Sequence, residues 1–315
     1  MDRVLIIGNG FDLDLGLKTS YAEFMNSDYF REIDKSSDLM RYLVSQKELN
    51  KWIDLELELR SFIFQRGIYE DMIRELRDEE LEDSEFEEDP HSDNKESYFQ
   101  LCRALEDYLK TLDYSAINTQ SVAAMLIRTV YIASQPRIFN YNYTNFYEIR
   151  KVLRCSGFSG YTPVHGSIKN SSIILGIDDD VEIHEFYYFM IKSHNPNYRS
   201  CNIRSALDEA EEVIFFGHSL GSTDYHYFSD FFLNQSGNNG IPQKRKKIRI
   251  FTKNEASRLD ILAQLRNMNN KKTNQLFDLN DFRIYCTHEE RDQTDIEEYC
   301  TGLAKAPDGI GSSFL

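Results

Sequence analysis

The feature that most constrains the fold of this chain is a series of short apolar runs separated by helical patterns. After a first run at residues 4–7, the runs from Arg137 onward read RIFNYNY, TPVHG, SIILGI, EVIFFGH, KIRIFT and FRIYC. Helical patterns lie between several of them, at 200–210 and 254–267. Strands that are apolar throughout and alternate with helices form parallel sheets covered on both faces. The sequence therefore predicts an α/β protein with a Rossmann-like, doubly wound, mostly parallel sheet.

A different pattern separates the first run from the others. Residues from about 20 to 135 contain almost no glycine or proline and are rich in helix-forming residues. One apolar stripe recurs there at helical spacing and comprises Trp52, Leu55, Leu59 and Ile63. We predict a large helical insertion at 31–130 in a sheet domain formed by 1–30 and 131–315. The densely acidic segment at 78–96 is predicted to be a solvated loop.

Composition excludes several classes of protein. No run approaches the roughly 18 to 20 apolar residues of a membrane span, and the N-terminal run is too short for a signal peptide, so we expect a cytoplasmic protein without a membrane partner. The 5 cysteines are scattered and never paired as C-x-x-C, which argues against a zinc ribbon and a disulfide framework. A net charge of -16 argues against broad contact with nucleic acid.

Polar residues and glycines follow four of the predicted strands, where an open parallel sheet collects its ligands. The segments are GNGFD from residue 8, NYNYTN from residue 140, VHGS from residue 164 and GHSLGSTD from residue 217. Gly8 and Gly10 would let the backbone approach a ligand, and the helix that follows would offer N–H groups to an anion. Three asparagines within six residues are costly beside an apolar strand unless their amides are hydrogen-bonded. The sequence thus predicts a ligand site at this edge of the sheet.

The segment GHSLG also matches the G-x-S-x-G nucleophile elbow of α/β-hydrolases. This alternative makes Ser219 a nucleophile, with Asp230 or Asp260 as the acid and His288 as the base. It assigns no role to GNGFD or to the asparagine cluster.

Taken together, the motifs resemble the AbiH family of phage abortive-infection proteins. The similarity covers GNGFDLDLGLKTSYAEF, a W-x-D-x-E segment at 52–56, FNYNYTN, VHGSI and FGHSLGSTDYHYF, in that order from residue 4 to about 230. The resemblance implies a role in bacterial antiphage defence. The order is more remotely similar to the sirtuin-like NAD-binding fold, whose motifs are a glycine-rich first loop, T-x-N-x-D, H-G and a late G-x-S strand end.

The sirtuin resemblance implies site residues in this chain. Asn142 falls on the asparagine that works beside the nicotinamide ribose, and His165 falls on the histidine of the H-G pair, so these two are the implied catalytic residues. The implied NAD-binding residues are Gly8, Asn9, Gly10, Phe11, Asp12, Thr19, Gly217, His218, Ser219 and Asp224. On this basis the two glycines of the first loop would admit the phosphates of a dinucleotide.

Two departures from the sirtuin pattern alter the expected ligand and chemistry. Asp12 stands where sirtuins carry a serine, and a carboxylate repels a pyrophosphate but accepts hydrogen bonds from a ribose diol or a substrate amine. Thr144 replaces the sirtuin aspartate, and the sirtuin zinc module is missing. These changes argue against deacylation and leave NAD glycohydrolase chemistry, with release of nicotinamide.

We therefore expect an antiphage defence protein that binds NAD or a related nucleotide, without a metal, and hydrolyses it. A non-catalytic nucleotide sensor and the serine hydrolase remain alternatives, and a homo-oligomer or a phage-triggered protein partner fits either nucleotide hypothesis. Glu56 is explained equally by a pocket role and by a solvated helix face. The basic run at 244–247 is interpreted as a solvated strand entry, and 252–254 either as a contact to an adenosine ribose or as a loop cap.

Overall fold

The computed structural model describes residues 2–49, 54–77, 92–133, 136–155, 160–237 and 244–304, and it confirms the predicted α/β class. Its sheet has six strands, which are Arg3–Ile7 (β1), Arg137–Asn140 (β2), Gly160–Pro163 (β3), Glu212–Phe216 (β4), Lys247–Thr252 (β5) and Asp281–Cys286 (β6). All neighbouring strands are parallel, and their order across the sheet is β3-β2-β1-β4-β5-β6. This is the order of a doubly wound Rossmann-like sheet.

Thirteen α-helices lie in the described residues. They are Asn9–Asp14 (α1), Tyr21–Asn26 (α2), Asp28–Arg31 (α3), Asp38–Leu49 (α4), Leu55–Arg77 (α5), Ser92–Lys110 (α6), Val122–Ala133 (α7), Phe146–Val152 (α8), Ile203–Glu209 (α9), Tyr225–Gln235 (α10), Glu255–Met268 (α11), Thr273–Leu279 (α12) and Glu290–Ala304 (α13). Short 3-10 helices occupy Tyr114–Ala116, Ile168–Asn170, Glu185–Met190, Lys192–His194 and Ser222–Asp224.

The chain divides into two compact units. The first, called the sheet unit, comprises Met1–Leu17, Asp113–Val164 and Cys201–Leu315. The second, called the helical unit, comprises Lys18–Leu112 and His165–Ser200. Each unit has a core of its own.

The core of the sheet unit has two layers because successive strand side chains point to opposite faces. Leu5 and Ile7 of β1 pack in one buried cluster with α7, while Val4 and Ile6 pack in the other with α9 and α10. These four apolar side chains of β1 are fully buried. A central strand that must bury both faces reads as a continuous apolar run, and the run at 4–7 was recognised on that basis.

The helical unit builds its core from one face of each long helix. On α5, Leu55, Leu59 and Ile63 are buried, as the sequence predicts; Trp52, the fourth residue of that stripe, lies outside the described residues. On α6, the Tyr98 hydroxyl donates to the Leu175 carbonyl at 2.6 Å and so ties the helix to the 165–200 segment.

The boundaries of the units differ from the predicted insertion at 31–130. Residues 18–30 belong to the helical unit, and 113–130 belong to the sheet unit. Residues 113–130 belong to the sheet unit because α7 buries Ala123, Ala124 and Ile127 in the same cluster as β1. A helix that covers a sheet and a helix of an insertion carry the same periodicity, so sequence spacing does not separate them.

One local prediction was wrong, and a second is tested only in part. Residues 172–177, read as a strand, make only an isolated bridge between Ile177 and Ile191. Their apolar side chains are buried in the helical unit without a ladder, and a short buried run looks the same in both settings. The acidic loop predicted at 78–96 lies outside the described residues up to 91, and 92–96 form the first turn of α6.

Among the described helices, none combines the length and apolarity that crossing a bilayer requires.

Candidate functional site

The sheet unit has one topological switch point, between β1 and β4. The chain leaves β1 for β2 on one side of the sheet, and β4 continues to β5 on the other side. In open α/β sheets, ligands bind outside the carboxyl ends of the strands at this position. The segments that begin at Gly8 and Gly217 are the first residues beyond β1 and β4, so the structure brings these two predicted segments together.

The glycines of these loops allow the two backbones to touch. The Gly8 N–H donates to the Phe216 carbonyl at 3.0 Å, and the Gly10 N–H donates to the Gly217 carbonyl at 2.9 Å. A Cβ added at Gly8 would lie 2.6 Å from the Cα of His218, closer than real Cβ atoms approach. The contact between the loops therefore accounts for the glycine requirement that the sequence analysis assigned to a phosphate.

Helix α1 begins at Asn9, between the two glycines that contact the loop after β4. The Phe11 N–H donates to the Gly8 carbonyl at 2.9 Å, so this N–H group, like that of Gly10, is engaged within the chain. The Phe11 ring is fully buried and meets the ring of Phe216 edge-on at 5.4 Å. Asn9 is exposed at the start of the helix. Of the predicted NAD-binding residues in this loop, Phe11 is thus a core residue.

The three asparagines after β2 have separate roles. Asn145 caps α8, since its side chain accepts a hydrogen bond from the Tyr147 N–H at 3.2 Å. Asn140 is fully buried, and its side-chain oxygen accepts from the Asn142 N–H at 3.1 Å, which shapes the bend that leaves the strand. The Asn142 side chain instead crosses to β1, where its Nδ2 donates to the Gly8 carbonyl at 3.0 Å. Asn142 is therefore the member of the cluster that belongs to the switch-point site.

Asp12 is buried beside Asn142. Its side chain is 1% exposed, and its Oδ2 accepts a hydrogen bond from the Thr144 hydroxyl at 2.9 Å. Its Oδ1 has no hydrogen-bond partner in the part of the chain that the structure describes. Burial raises the pKa of Asp12 from 3.8 to about 7, although hydrogen bonds from Thr144 and Asn142 oppose the shift. A carboxyl group that titrates near neutral pH is characteristic of functional sites.

Two tyrosines surround this group in the sheet unit. The Tyr114 hydroxyl accepts from the Asn145 N–H at 2.8 Å, and the Tyr161 hydroxyl accepts from the Asn140 side chain at 3.1 Å. Burial raises the pKa of both phenols, and the nearby Asp12 carboxylate adds to the effect. These two hydroxyls were missed by the sequence analysis, because nothing in their local sequence distinguishes them from packing tyrosines.

The stability of the protein is expected to decrease with pH through Asp12. Between about pH 4 and 7 the folded chain keeps a proton that the unfolded chain has released, so the free energy of unfolding falls as pH rises. At about 1.4 kcal/mol per pKa unit, the loss is on the order of 4 kcal/mol. Urea denaturation of wild type and Asp12→Asn between pH 4 and 8 measures this loss. The free energy of unfolding of the variant should increase relative to that of wild type as pH rises through this range. A difference that stays constant with pH would contradict the assignment.

On the β4 side of the switch point, His218 forms a pair with Asp224. The His218 Nδ1 accepts from the Leu220 N–H at 3.0 Å, which leaves the proton on Nε2, 3.4 Å from the Asp224 Oδ2. The imidazole is buried against the ring of Tyr141, with ring centroids 4.5 Å apart. The pair therefore stabilises the loop after β4, next to the contact of that loop with Gly8.

Ser219 does not lie in a nucleophile elbow. Its side chain is exposed, but its Oγ accepts from the Gly221 N–H at 3.3 Å, and the positive φ values of this loop fall on Gly217 and Leu220 instead. The next α-helix begins only at Tyr225. His288, the base that this alternative needs, has its Nε2 3.8 Å from the Asp14 Oδ1. The geometry thus does not favour the serine hydrolase.

Two predicted site residues belong to the helical unit. Thr19 is half-buried just before the Ser20 capping box of α2, in which the Ser20 hydroxyl accepts from the Glu23 N–H at 3.2 Å. His165 is 4% exposed, and its carbonyl accepts from the Ile174 N–H at 2.9 Å. The adjacent Gly166 has φ +78°, and a Cβ there would collide with the Ser172 carbonyl, so the H-G pair occupies a tightly packed turn.

Glu56 is a buried residue that belongs to a cluster of charged side chains. It is buried in the helical unit, where the Lys192 Nζ lies 2.9 Å from its Oε2 and 3.6 Å from the Asp178 Oδ1. Lys192 and Asp178 lie more than a hundred residues away along the chain, so the sequence around Glu56 carries no sign of them. This buried charge cluster replaces the solvated-face explanation of Glu56.

The remaining polar segments have structural roles. The Lys246 Nζ donates to the Asp208 carbonyl at 2.8 Å, near the C-terminal end of α9. Lys244 pairs with Glu211 at 3.1 Å. Asn254 caps α11, since its side chain accepts from the Ser257 N–H at 3.1 Å. For 252–254 the loop-cap explanation therefore accounts for the asparagine.

Comparison with known proteins gives one match. The family model described as bacteriophage abortive infection AbiH matches residues 4–240, most of the chain. No curated protein matches, and no solved structure matches. The matched range includes every predicted site residue, whereas the sirtuin resemblance gains no support and stays a prediction.

Proposed function

This chain belongs to the AbiH family of bacteriophage abortive infection proteins, and on that premise we propose that its sheet unit binds NAD or a related nucleotide and hydrolyses the N-glycosidic bond. Family membership supports the role in phage defence. The observation that carries the finer proposal is the position of Asp12, Asn142 and Thr144. They meet beyond β1 and β2, beside the switch point where such sheets bind ligands.

The proposed reaction needs positioning more than a strong base. A water oxygen forms a bond to C1′ of the nicotinamide ribose, and the C1′–N bond breaks with its electron pair going to the pyridinium ring. Nicotinamide leaves neutral, and the water gives up one proton. The carbonyl oxygen of Asn142 is suited to accept from the water or a ribose hydroxyl, because the Nδ2 of the same amide is held by Gly8. The base that the sirtuin resemblance implies, His165, belongs to the helical unit.

The geometry favours recognition of the N-ribosyl part of the ligand. The N–H groups of Gly10 and Phe11 are engaged within the chain, and the buried carboxyl of Asp12 disfavours a second negative charge nearby. The amide and hydroxyl side chains of this edge match sugar hydroxyls instead.

The test is release of nicotinamide from NAD by the purified chain, followed by chromatography, with NAD binding measured by calorimetry. Asn142→Ala is expected to lower turnover by about 100-fold or more while binding persists, since it removes a positioning group. Asn145→Ala is the matched control from the same segment. It removes a helix cap worth about 1 kcal/mol and should leave turnover unchanged. His165→Ala is measured separately.

The outcomes separate the candidate functions. Turnover that is lost in Asn142→Ala but kept in Asn145→Ala supports the hydrolase. Binding without turnover in the wild-type chain would replace the hydrolase with a nucleotide sensor. Neither binding nor turnover would reject NAD as the ligand, and equal losses in the two variants would remove Asn142 from the mechanism.

A further inference from the structure

The last strand of the sheet, β6, lies at an open edge. It pairs with β5 on one side, and no strand lies beyond it in the part of the chain that the structure describes. The N–H groups of Asp281 and Thr287 donate to carbonyls in or next to β5, at 2.9 and 2.7 Å. Because successive peptide groups of a strand point to alternate sides, those of Phe282 and Ile284 point outward, where another strand can pair with them.

Helix α13 closes this edge at one end. The Cys286 N–H is the next outward group, and it donates to the Asp292 Oδ2 at 2.6 Å. Beside the rest of the edge lies an open groove of about 410 Å³, which the strand lines together with Phe277. Phe277 is 41% exposed, and its ring stacks on that of Phe282 with centroids 4.7 Å apart. Leu279, two residues further along, is 48% exposed. The groove thus offers outward peptide groups beside apolar side chains.

The charges of β6 are arranged symmetrically about its Phe282. Asp281 and Arg283 flank this residue and point to the same face of the sheet, because side chains alternate along a strand. Their side chains are 38% and 60% exposed. The Asp281 carboxylate accepts from Arg249 at 2.7 Å and has further acceptor sites, while the Arg283 Nη1 is 3.7 Å from the Asp295 Oδ2. Both charges can therefore interact with a strand that pairs with this edge.

The charge pattern selects one antiparallel register for two copies of β6. A two-fold axis at Phe282 places Asp281 of each copy directly opposite Arg283 of the other. An axis at Arg283 would oppose two arginines, and an axis at Asp281 would oppose two aspartates. An axis at Ile284 would require the Cys286 N–H, which already donates to α13. The strand is thus complementary to itself in the register centred on Phe282.

We propose that this chain forms a two-fold symmetric dimer through β6, in which the two sheets join into one continuous sheet. The groove is then occupied by a second copy of the chain. The outward N–H and C=O groups of Phe282 pair across the axis, and Asp281 of each copy pairs with Arg283 of the other. On the opposite face, the apolar rim around Phe277 becomes buried between the copies. Pairing of exposed edge strands is a common way for sheets to associate.

The first test is the mass of the full chain, measured by sedimentation equilibrium over a series of micromolar concentrations. We expect a monomer–dimer equilibrium in wild type. Arg283→Asp opposes carboxylates at two symmetric positions and should raise the dissociation constant by about tenfold or more, whereas Arg283→Lys should stay close to wild type. Lys151→Asp is the matched control, because it reverses the charge of a 68% exposed side chain on α8 of the same unit. A wild-type chain that is monomeric throughout, or an unchanged constant in Arg283→Asp, would overturn the proposal.

A cysteine placed on the axis tests the register. Directly opposite residues of a hydrogen-bonded pair have Cα atoms about 5.5 Å apart, a separation that a disulfide spans. After treatment with diamide, Phe282→Cys should therefore form a covalent dimer on a non-reducing gel. Ile284→Cys is the control, since its two copies would lie about 13 Å apart along the paired strands and should not crosslink. Wild type is treated in parallel to account for the native cysteines. Crosslinking of Ile284→Cys alone, or equal results for the two variants, would reject this pairing.

Discussion

Replacing Gly217 with alanine is expected to prevent stable folding of the sheet unit. Gly217 has φ +63°, and a Cβ there would lie 2.3 Å from the Phe11 nitrogen and 2.4 Å from the Cα of Gly10. These are backbone atoms at the start of α1, so no side chain can move aside. We expect a loss of more than about 4 kcal/mol in the free energy of unfolding, the size associated with a named steric defect in a core.

Gly16→Ala is the matched control for this substitution. Gly16 also has a positive φ, +84°, and lies in the same unit, but a Cβ there meets nothing within 4 Å. Only the cost of a left-handed backbone remains, about 1 to 2 kcal/mol. Urea denaturation followed by circular dichroism compares the two variants. Equal losses would mean that φ, and not the contact between the loops, makes glycine necessary at position 217.

Replacing Lys192 with methionine is expected to destabilise the helical unit by about 3 to 5 kcal/mol, the usual cost of breaking a buried ion pair. The Lys192 side chain is 3% exposed, and its Nζ is 2.9 Å from Glu56 and 3.6 Å from Asp178. Without the ammonium group, the two buried carboxylates lose their ion pairs with Lys192. The loss should shrink in Lys192→Met with Glu56→Gln, because this double variant also removes one of the negative charges.

Lys110→Met provides the surface comparison in the same unit. Lys110 pairs with Glu106 at 2.7 Å on α6, but its side chain is 44% exposed. An exposed pair of this kind contributes about 0.3 to 0.5 kcal/mol. Thermal unfolding at pH 7 measures all three variants. If Lys192→Met costs no more than Lys110→Met, the cluster around Lys192 does not contribute through its charge.

Most of the sheet was predictable because its signal is local. The runs that became β1, β2, β4, β5 and β6 are rich in apolar residues, and each is bounded by polar or glycine residues. The run at 172–177 has the same signal but forms no strand. An apolar run shows that a segment is buried, whereas hydrogen bonding to a neighbouring strand depends on residues far away in the sequence.

The sequence predicted where the candidate site lies on the sheet, but not what its residues do. The polar ends of β1 and β4 do lie together, because the carboxyl ends of parallel strands share one edge of the sheet. The roles of individual residues were not predictable. Gly8 and Gly10 admit another loop of the same chain, Phe11 is a core residue, and Asn145 is a helix cap.

The sequence by itself determined the fold class, the family and the edge of the sheet where polar residues gather. Each of these is recorded in consecutive residues, as an apolar run, a motif or a strand end. Only the tertiary structure decided which polar groups are buried and with what partner. Asp12 meets Thr144 across 132 residues of chain, and Glu56 meets Lys192 across 136. A buried charge depends on its partner and on exclusion of water, and both arise only when distant segments pack together.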